Sequence, residues 1–290
     1  TTQILMFTAL LSTPALSGGP LPRKAQSLLL RLAGVYPAVC ITGPRGAGKT
    51  TLARMTFPDL PYVSLEQLIV QEYIQRDPYA FLATYKDGAI FDEIQHAPQL
   101  LSYLQEVIDL EDKNGRFILT GSQNFVISQT VSQSLAGRVG QVTLLPLSYH
   151  ELASKADPLE LVVDGCYPAF HQNPTTPNDF YHSYVDSYIT RDVREIQNVG
   201  NLPNFRRFLS VCAKHVGQLL NVSSMAKDAG ISATTARRWL SILEASYIVF
   251  LLTPYHRNFN KRLTKMPKLY FYDTGVAAAL LRIKDGAELN

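Results

Sequence analysis

The stretch from Gly43 to Thr50 reads GPRGAGKT and fits the pattern G-x-x-x-x-G-K-[ST]. Loops of this pattern wrap a triphosphate with backbone N–H groups, and a Cβ at the glycines could block that approach. The lysine brings a positive charge to the β and γ phosphates, and the threonine brings a hydroxyl to Mg²⁺. The pattern therefore predicts a nucleotide-binding segment that consists of Gly43, Pro44, Arg45, Gly46, Ala47, Gly48, Lys49, Thr50 and Thr51.

The residues on both sides of this loop give the pattern the context that it requires. Ala38 to Ile41 form a short apolar run that suits a buried parallel strand. Thr51 to Met55 can begin a helix, whose N-terminal dipole favours an anion. The order of strand, glycine-rich loop and helix favours nucleotide binding over a glycine-rich turn between unrelated elements.

An acidic pair follows a second apolar run further along the chain. Ala89 to Phe91 lead into Asp92 and Glu93, which is the Walker B pattern. We expect Asp92 to hold Mg²⁺, directly or through water, and Glu93 to orient or deprotonate the attacking water. Taken alone, an apolar run that ends in Asp-Glu is common as a solvated strand end, so the upstream loop gives the pair its meaning.

Other polar residues are candidates for contact with the nucleotide. A predicted strand ends at Ser122 and Gln123, and parallel sheets bind ligands at the carboxyl ends of their strands. These two side chains either sense hydrolysis or begin a hydrogen-bonded loop. Arg138 either compensates γ-phosphate charge, in cis or from a neighbouring subunit, or pairs with a structural carboxylate. Arg23 could reach the nucleotide, although a surface position is the commoner one for arginine. The predicted catalytic set is Lys49, Glu93, Ser122 and Arg138.

The C-terminal third has the order of elements of a winged helix. A short helix ends at Gly230, Ser232 caps a longer helix over 233–245, and two strands over 247–252 and 269–272 follow. In DNA-binding winged helices the second helix enters the major groove. The side chains that would face the groove are Thr234, Thr235, Arg237 and Arg238. Many winged helices contact only proteins, so both kinds of partner stay open.

Charge is distributed unevenly along the 290 residues. The formal net charge is +3, whereas residues 221–270 carry eight Lys and Arg against two acidic residues, or +6. The rest of the chain therefore sums to −3. This asymmetry makes duplex DNA a candidate partner of residues 221–270. The basic loop between the two strands contributes Lys261, Arg262 and Lys265.

Composition limits the cellular setting and the class of protein. Hydrophobic residues make up 46% of the chain, which is enough for a packed core. The three cysteines show neither metal-ligand spacing nor a disulfide framework, which fits a reducing cytoplasm. The sequence contains no run long enough to span a membrane, and we expect no membrane partner. Residues 1–20 are apolar but lack a basic start, so we interpret them as a leader or a cloning remnant.

These observations predict an α/β fold, in which a P-loop NTPase parallel sheet has helices on both faces and is followed by a helical and winged-helix domain. The predicted boundaries are 21–147 for the P-loop domain, 148–218 for a helical linker region and 219–290 for the winged-helix-like domain.

The same motifs, in this order, resemble those of bacterial and archaeal AAA+-type ATPases that carry a C-terminal domain of unknown function. Besides the loop, the matching stretches are IFDEIQ at 90–95, ILTGS at 118–122, LAGRV at 135–139, PLSYHE at 146–151, YITRDV at 188–193 and YFYDTGVAAALL at 270–281. The resemblance implies a P-loop ATPase fold, binding of ATP with Mg²⁺ and a winged-helix-like C-terminal region. A homo-oligomer is a separate expectation, because Arg138 could act from a neighbouring subunit. The resemblance implies no particular macromolecular substrate.

Two departures from the family pattern limit what is carried over. Members often continue into a nuclease-like segment, but this chain ends at Asn290, so nuclease activity is not assigned. The segment before Pro20 has no counterpart in the pattern. The expected function is ATP hydrolysis coupled to a conformational change of the C-terminal winged-helix domain, which acts on DNA or on a DNA-associated partner. The alternatives are a nucleotide-gated module with little turnover that binds DNA or docks on protein, and a scaffold that binds nucleotide without turnover.

Overall fold

The protein is described by a computed structural model that covers residues 21–110, 113–122, 135–152, 157–173, 175–189, 201–255 and 266–289. The strands in this part of the chain are β1 (Ala38–Thr42), β2 (Tyr62–Ser64), β3 (Ala89–Asp92), β4 (Phe117–Gly121), β5 (Val139–Thr143), β6 (Val249–Leu252) and β7 (Lys268–Phe271). The helices are α1 (Ala25–Ala33), α2 (Lys49–Thr56), α3 (Leu68–Arg76), α4 (Pro78–Thr84), α5 (Leu100–Leu110), α6 (Tyr149–Leu152), α7 (Pro158–Asp164), α8 (Pro168–Gln172), α9 (Pro177–Tyr184), α10 (Leu202–Lys214), α11 (Val222–Ala229), α12 (Ala233–Ala245) and α13 (Thr274–Leu281). Short 3₁₀ turns cover Ile94–His96 and Gly286–Leu289, and a π turn covers Val185–Ile189.

The first five strands form one parallel sheet in the order β2-β3-β4-β1-β5, which confirms the predicted α/β P-loop class. Strand β4 lies between β1, which precedes the glycine-rich loop, and β3, which precedes the acidic pair. Because all five strands run in the same direction, their carboxyl ends share one edge of the sheet. The loop and the acidic pair therefore meet at this edge, with the end of β4 between them.

Successive side chains of β1 point to opposite faces of the sheet, and each face has its own core layer. Val39 and Ile41 pack on one face against Leu29 of α1 and Leu52 of α2. Ala38 and Cys40 point to the other face, where they join a cluster from α3, α4, α5 and β3. Burial raises the pKa of the Cys40 thiol to about 12, as expected for a cysteine that acts as a small apolar side chain.

The last strand of the sheet differs from its prediction. The sequence suggests a strand over 141–147, whereas β5 begins at Val139 and ends at Thr143. The N–H of Leu144 still donates to the carbonyl of Thr42 at 2.7 Å. Pro146 follows soon after, and because proline has no N–H donor it cannot continue a ladder of hydrogen bonds.

The C-terminal part has a core of its own, built around aromatic side chains. One buried cluster joins two stretches of the chain. It contains residues between 167 and 213, from the predicted linker region, and residues between 225 and 279. Helix α11 ends at Gly230 in the left-handed region, and the hydroxyl of Ser232 accepts from the N–H of Thr235 at 3.1 Å at the start of α12. Strands β6 and β7 form an antiparallel pair. Tyr247 lies before β6 rather than in it, because it adopts the left-handed conformation, with φ of 56°.

No helix of the described residues is both long and apolar enough to cross a membrane. The chain's three cysteines are all free.

Candidate nucleotide site

The glycine-rich loop is held together by its own lysine. The ammonium of Lys49 donates to the carbonyl oxygens of Gly43 and Pro44, each at 3.0 Å, and the side chain is buried. Gly46 and Gly48 adopt positive φ values of 80° and 90°, which other residues adopt only with strain. Gly48 directly precedes α2, so the loop runs into the N-terminus of that helix. Backbone N–H groups at such a terminus form a site for an anion.

Gly43 is also required by the close packing of the loop against the segment after β5. A Cβ at this position would lie 2.0 Å from the carbonyl oxygen of Leu144, on the segment after the neighbouring strand β5. Its φ of 149° also lies in a region that favours glycine. The first glycine of the motif therefore lets the loop leave the sheet beside β5, whatever ligand binds.

Asp92 accepts hydrogen bonds from three hydroxyl groups and is buried. Its Oδ1 accepts from Thr50 at 2.7 Å and from Thr120, and its Oδ2 accepts from Tyr62 at 2.8 Å. The two predicted metal ligands, Thr50 and Asp92, are therefore in direct contact. Burial and the nearby charge of Asp92 raise the pKa of Tyr62 well above its ordinary value, so that phenol stays a donor. No spacing in the sequence marks Tyr62 or Thr120, which reach Asp92 from β2 and β4.

Glu93 is held in an unusual backbone conformation beside Asp92. Its φ of 57° lies in the left-handed region, and its N–H donates to the hydroxyl of Thr120 at 3.2 Å. Its carboxylate Oε2 accepts from the side-chain amide of Gln95 at 2.6 Å. The same amide donates to the hydroxyl of Ser122 at 3.3 Å. Glu93 and Ser122 are therefore brought together through Gln95, whereas Gln123 lies outside the described residues.

Arg138 lies away from the loop. It directly precedes β5, and its carbonyl accepts from the N–H of Ala38, so it stands at the amino edge of the sheet. Its guanidinium donates to both carboxylate oxygens of Asp109, and the hydrogen bond from Arg138 is the main cause that lowers the pKa of that carboxyl. This is the structural ion pair that the sequence left open as an alternative. The structure does not bring Arg138 to the phosphate loop of its own chain.

Arg23 holds the loop through hydrogen bonds to backbone carbonyls, and its side chain is largely buried. Its guanidinium donates to the carbonyl oxygens of Ala47 and Leu145, each at 2.6 Å, and pairs with Glu151 at 3.2 Å. Burial raises the pKa of Glu151, but donors from Ser148, Lys24 and Arg23 outweigh it, so the pKa lies below its ordinary value. The commoner surface position assumed for Arg23 is therefore wrong.

Three tyrosines of the C-terminal part contact the loop and the strand before it. The hydroxyl of Tyr184 donates to the carbonyl of Arg45 at 3.0 Å and lies 2.6 Å from the hydroxyl of Tyr167. A Cβ at Gly46 would lie within 3.8 Å of both rings. The hydroxyl of Tyr247 lies 2.9 Å from that of Thr42, the last residue of β1. The side chain of Arg45 itself lies 3.7 Å from Glu66.

A cleft opens beside Gly48, where the loop meets the start of α1 and α8. It is lined by Leu21, Arg23, Gln26, Gly48, Thr51, Leu52, Met55, Pro168 and Gln172. Both parts of the chain contribute to this lining, which is mostly uncharged. The predicted contact residue Thr51 lies in this cleft.

Comparison with known proteins finds two family models that match consecutive parts of the chain. Residues 35–153 match a family model described as AAA domain, and residues 155–287 match one described as Domain of unknown function (DUF8612). The uncharacterized protein Rv2008c of Mycobacterium tuberculosis is 31% identical over 265 residues, which covers 91% of this chain and 60% of the relative. The uncharacterized protein MJ1544 of Methanocaldococcus jannaschii is 21% identical over 208 residues, or 63% of this chain and 46% of the relative. The chain thus spans 60% of the length of its mycobacterial relative.

A solved structure shares the fold over most of both chains. The Walker-type ATPase paby2304 of Pyrococcus abyssi superimposes with a TM-score of 0.59 at 14% sequence identity. The match covers 90% of this chain and 96% of that protein. At this level of identity the likeness concerns the fold, and the roles of side chains rest on the geometry described above.

Proposed function

We propose that the chain, which carries an AAA-type P-loop ATPase domain followed by a domain of unknown function, binds ATP with Mg²⁺ and hydrolyses it to ADP and inorganic phosphate. The observation that carries this proposal is the contact between Thr50 and Asp92 at the mouth of the loop, with Glu93 beside them. A P-loop ATPase needs these three oxygen-bearing groups at one point. Loss of turnover with retention of binding in Glu93→Gln tests the proposal.

The residues around Asp92 fit Mg²⁺ and a triphosphate. Mg²⁺ prefers hard oxygen ligands and keeps several of its waters, and a hydroxyl beside a carboxylate meets that need. When bound, the ion neutralises charge that develops on the phosphate oxygens. Thr50 and Asp92 would hold it, Lys49 would contact the phosphates, and the backbone from Gly43 to Gly48 would surround them. Glu93 would accept the proton of the attacking water.

The cleft beside Gly48 is suited to the nucleoside end of the ligand. A phosphate chain on the loop would point its other end along α2, where Thr51 in the first turn and Met55 in the last turn line the cleft. Pro168 closes the opposite side and belongs to the C-terminal part. A base bound here would touch both parts of the chain.

The tyrosine contacts support coupling between nucleotide state and the C-terminal domain. Tyr184 bonds to Arg45, which belongs to the loop, and Tyr247 bonds to Thr42, which directly precedes it. A shift of the loop backbone would therefore change both contacts. Both tyrosines are buried in the C-terminal part or against it. The proposed conformational change would therefore begin at these two hydroxyl groups.

The single tryptophan of the chain offers a direct test of this coupling. Trp239 is buried in the C-terminal core, against Phe205, so its fluorescence reports on that core. We expect ATP with Mg²⁺ to change Trp239 fluorescence, and we expect Tyr247→Phe to reduce the change by about half or more while binding persists. Tyr272→Phe, which removes a hydroxyl from the neighbouring ring, is the matched control. An equal fluorescence change in Tyr247→Phe and wild type, at equal ATP saturation, contradicts the coupling.

We also propose that the C-terminal region forms a winged helix and binds duplex DNA. The arrangement of α11, α12 and the β6–β7 pair supports the first part, as do bridges from Val216 and Leu219 to β7. On α12, Arg237 and Arg238 are exposed, which supports the second part. Thr235 is engaged in the cap with Ser232, so its hydroxyl is a weaker candidate for DNA contact. The predicted wing residues Lys261, Arg262 and Lys265 lie outside the described residues.

DNA affinity should fall steeply with salt, because each neutralised phosphate releases counterions. With three to five phosphate contacts, we expect a slope of about −3 to −5 for the logarithm of affinity against that of salt concentration. Arg237→Ala with Arg238→Ala should reduce that slope by about 2 and weaken any sequence preference. The control is Arg31→Ala with Arg76→Ala, two exposed arginines of the ATPase domain. If the wild type fails to bind duplex DNA even at low salt, the DNA proposal is refuted, and docking on protein is the alternative that remains.

Two further proposals concern assembly and location. We propose that Arg138 acts at the γ phosphate of a nucleotide bound to a neighbouring subunit. The glycine-rich loop of its own chain lies at the opposite edge of the sheet. Such a homo-oligomer would show a specific activity that rises with protein concentration. We place the protein in the cytoplasm, since three free cysteines, two of them buried, fit a reducing compartment.

A further inference from the structure

Gln95 follows the acidic pair in the short 3₁₀ turn over Ile94–His96. Its side-chain nitrogen donates to Glu93 Oε2 at 2.6 Å and to Ser122 Oγ at 3.3 Å. An ionised carboxylate can only accept hydrogen bonds, so the NH₂ group and not the carbonyl oxygen must face Glu93. This chemistry fixes the orientation of the amide without reference to any other contact.

The other end of the same amide has no partner in the described part of the chain. The carbonyl oxygen, Oε1, is buried, and none of the residues described there donates a hydrogen bond to it. Buried acceptors are nearly always satisfied by protein or by an ordered water. Because Oε1 is shielded from solvent, the donor end of the amide is the end that acts on the site, through Glu93.

We infer that Gln95 is a positioning residue, which holds the carboxylate of the base Glu93 toward the water that attacks the γ phosphate. This inference rests on the proposed ATPase function. Nε2 of Gln95 holds the carboxylate of Glu93 in the orientation from which it takes a proton of the attacking water. That proton passes to Glu93 as the water oxygen bonds to the γ phosphorus, and the bond from that phosphorus to the β–γ bridging oxygen breaks. The products are ADP and inorganic phosphate, so atoms and charge balance without any further reactant.

The link to Ser122 gives Gln95 a defined position between two strands. Glu93 follows β3 and Ser122 follows β4, so one amide joins the ends of neighbouring strands. A residue that only filled space there would not need both hydrogen bonds. The role of Ser122 then includes holding Gln95, in addition to any contact of its own with phosphate.

The test is steady-state ATP hydrolysis by Gln95→Leu, which keeps the approximate volume and removes both polar atoms. We expect kcat to fall by about thirtyfold to a hundredfold, while KM for ATP stays within about threefold. Gln99→Leu is the matched control, because it makes the same change at an exposed position nearby and should leave kcat unchanged. Thermal unfolding of both variants is measured in parallel.

A kcat for Gln95→Leu within about threefold of wild type overturns the inference, and so does a higher kcat, which would mean that Gln95 restrains Glu93. If Gln95→Leu does not fold, Gln95→Glu decides, because it keeps the shape and an acceptor oxygen but loses the donor to Glu93. We expect its kcat to fall as well, and a wild-type kcat in that folded variant overturns the inference. Wild-type protein that binds ATP without turnover would instead refute the proposed ATPase function, which separates the two failures.

Discussion

Glu93→Gln should bind ATP as tightly as the wild type and hydrolyse it at least about a hundredfold more slowly. That factor corresponds to a rise of about 2.7 kcal/mol in the activation barrier. The substitution keeps the size of the side chain, and its amide oxygen can still accept from Gln95, which lies 2.6 Å from the native carboxylate. What disappears is the ability to take a proton from water. The left-handed backbone at this position is equally accessible to both residues.

The measurement is ATP binding by titration and phosphate release under saturating ATP. Glu72→Gln, on the exposed surface of α3, is the matched control and should match the wild type in both measurements. A folded Glu93→Gln protein with wild-type turnover would assign the base to another group. A variant that loses ATP binding instead would place Glu93 in ligand contact rather than in proton transfer.

The fold could be predicted from sequence because its signals are local. The apolar run before the glycine-rich loop and the run before Asp92 both read as buried strands, and both are strands of the sheet. A single rule, that parallel strands bind ligands at their carboxyl ends, then brings Thr50 and Asp92 to one edge. Their direct contact also depends on the position of β1 and β3 on either side of β4, which the rule does not give.

The hydroxyl groups around Asp92 could not be predicted, because they depend on strand order. Thr120 reaches Asp92 only because β4 lies between β1 and β3, and Tyr62 reaches it only because β2 is the other neighbour of β3. Neither the order of the strands in the sheet nor a side-chain contact between residues distant in the chain leaves a pattern in the sequence. Gln95 is different, since it stands two residues after Glu93, but its bond to Ser122 also depends on the pairing of β3 with β4.

The position of Arg138 follows from the strand that it precedes. A parallel strand that starts at residue 141 already leaves Arg138 on the amino side of the sheet, in a loop whose path the sequence does not set. The observed start at Val139 fixes Arg138 at the amino edge, opposite the phosphate loop. Strand ends are set by hydrogen bonds to neighbours, here the bond from Ala38 to the Arg138 carbonyl, and these are long-range. The position of Arg23 could not be predicted for the same reason, since its partners Leu145 and Glu151 are distant in sequence.

Lys49→Ala should lower ATP affinity by more than tenfold, a loss of at least about 1.4 kcal/mol. The motif contains two basic residues, Arg45 and Lys49. A triphosphate on the loop needs a cation close to its β and γ groups, and the Lys49 ammonium supplies that charge. The structure adds a second consequence. Because Lys49 is buried and ties together Gly43 and Pro44, its truncation also frees the loop that it holds.

A second substitution separates the charge from the packing of the stem. Lys49→Met keeps a long apolar stem in the buried channel and removes only the ammonium, so an equal loss of affinity in both variants assigns the effect to charge. Lys86→Ala, which removes an exposed lysine of the same domain, is the control and should bind ATP as the wild type does. Affinity is read from the Trp239 fluorescence titration and, independently, from calorimetry. Wild-type affinity in a folded Lys49→Met protein would show that the loop binds no phosphate through this residue.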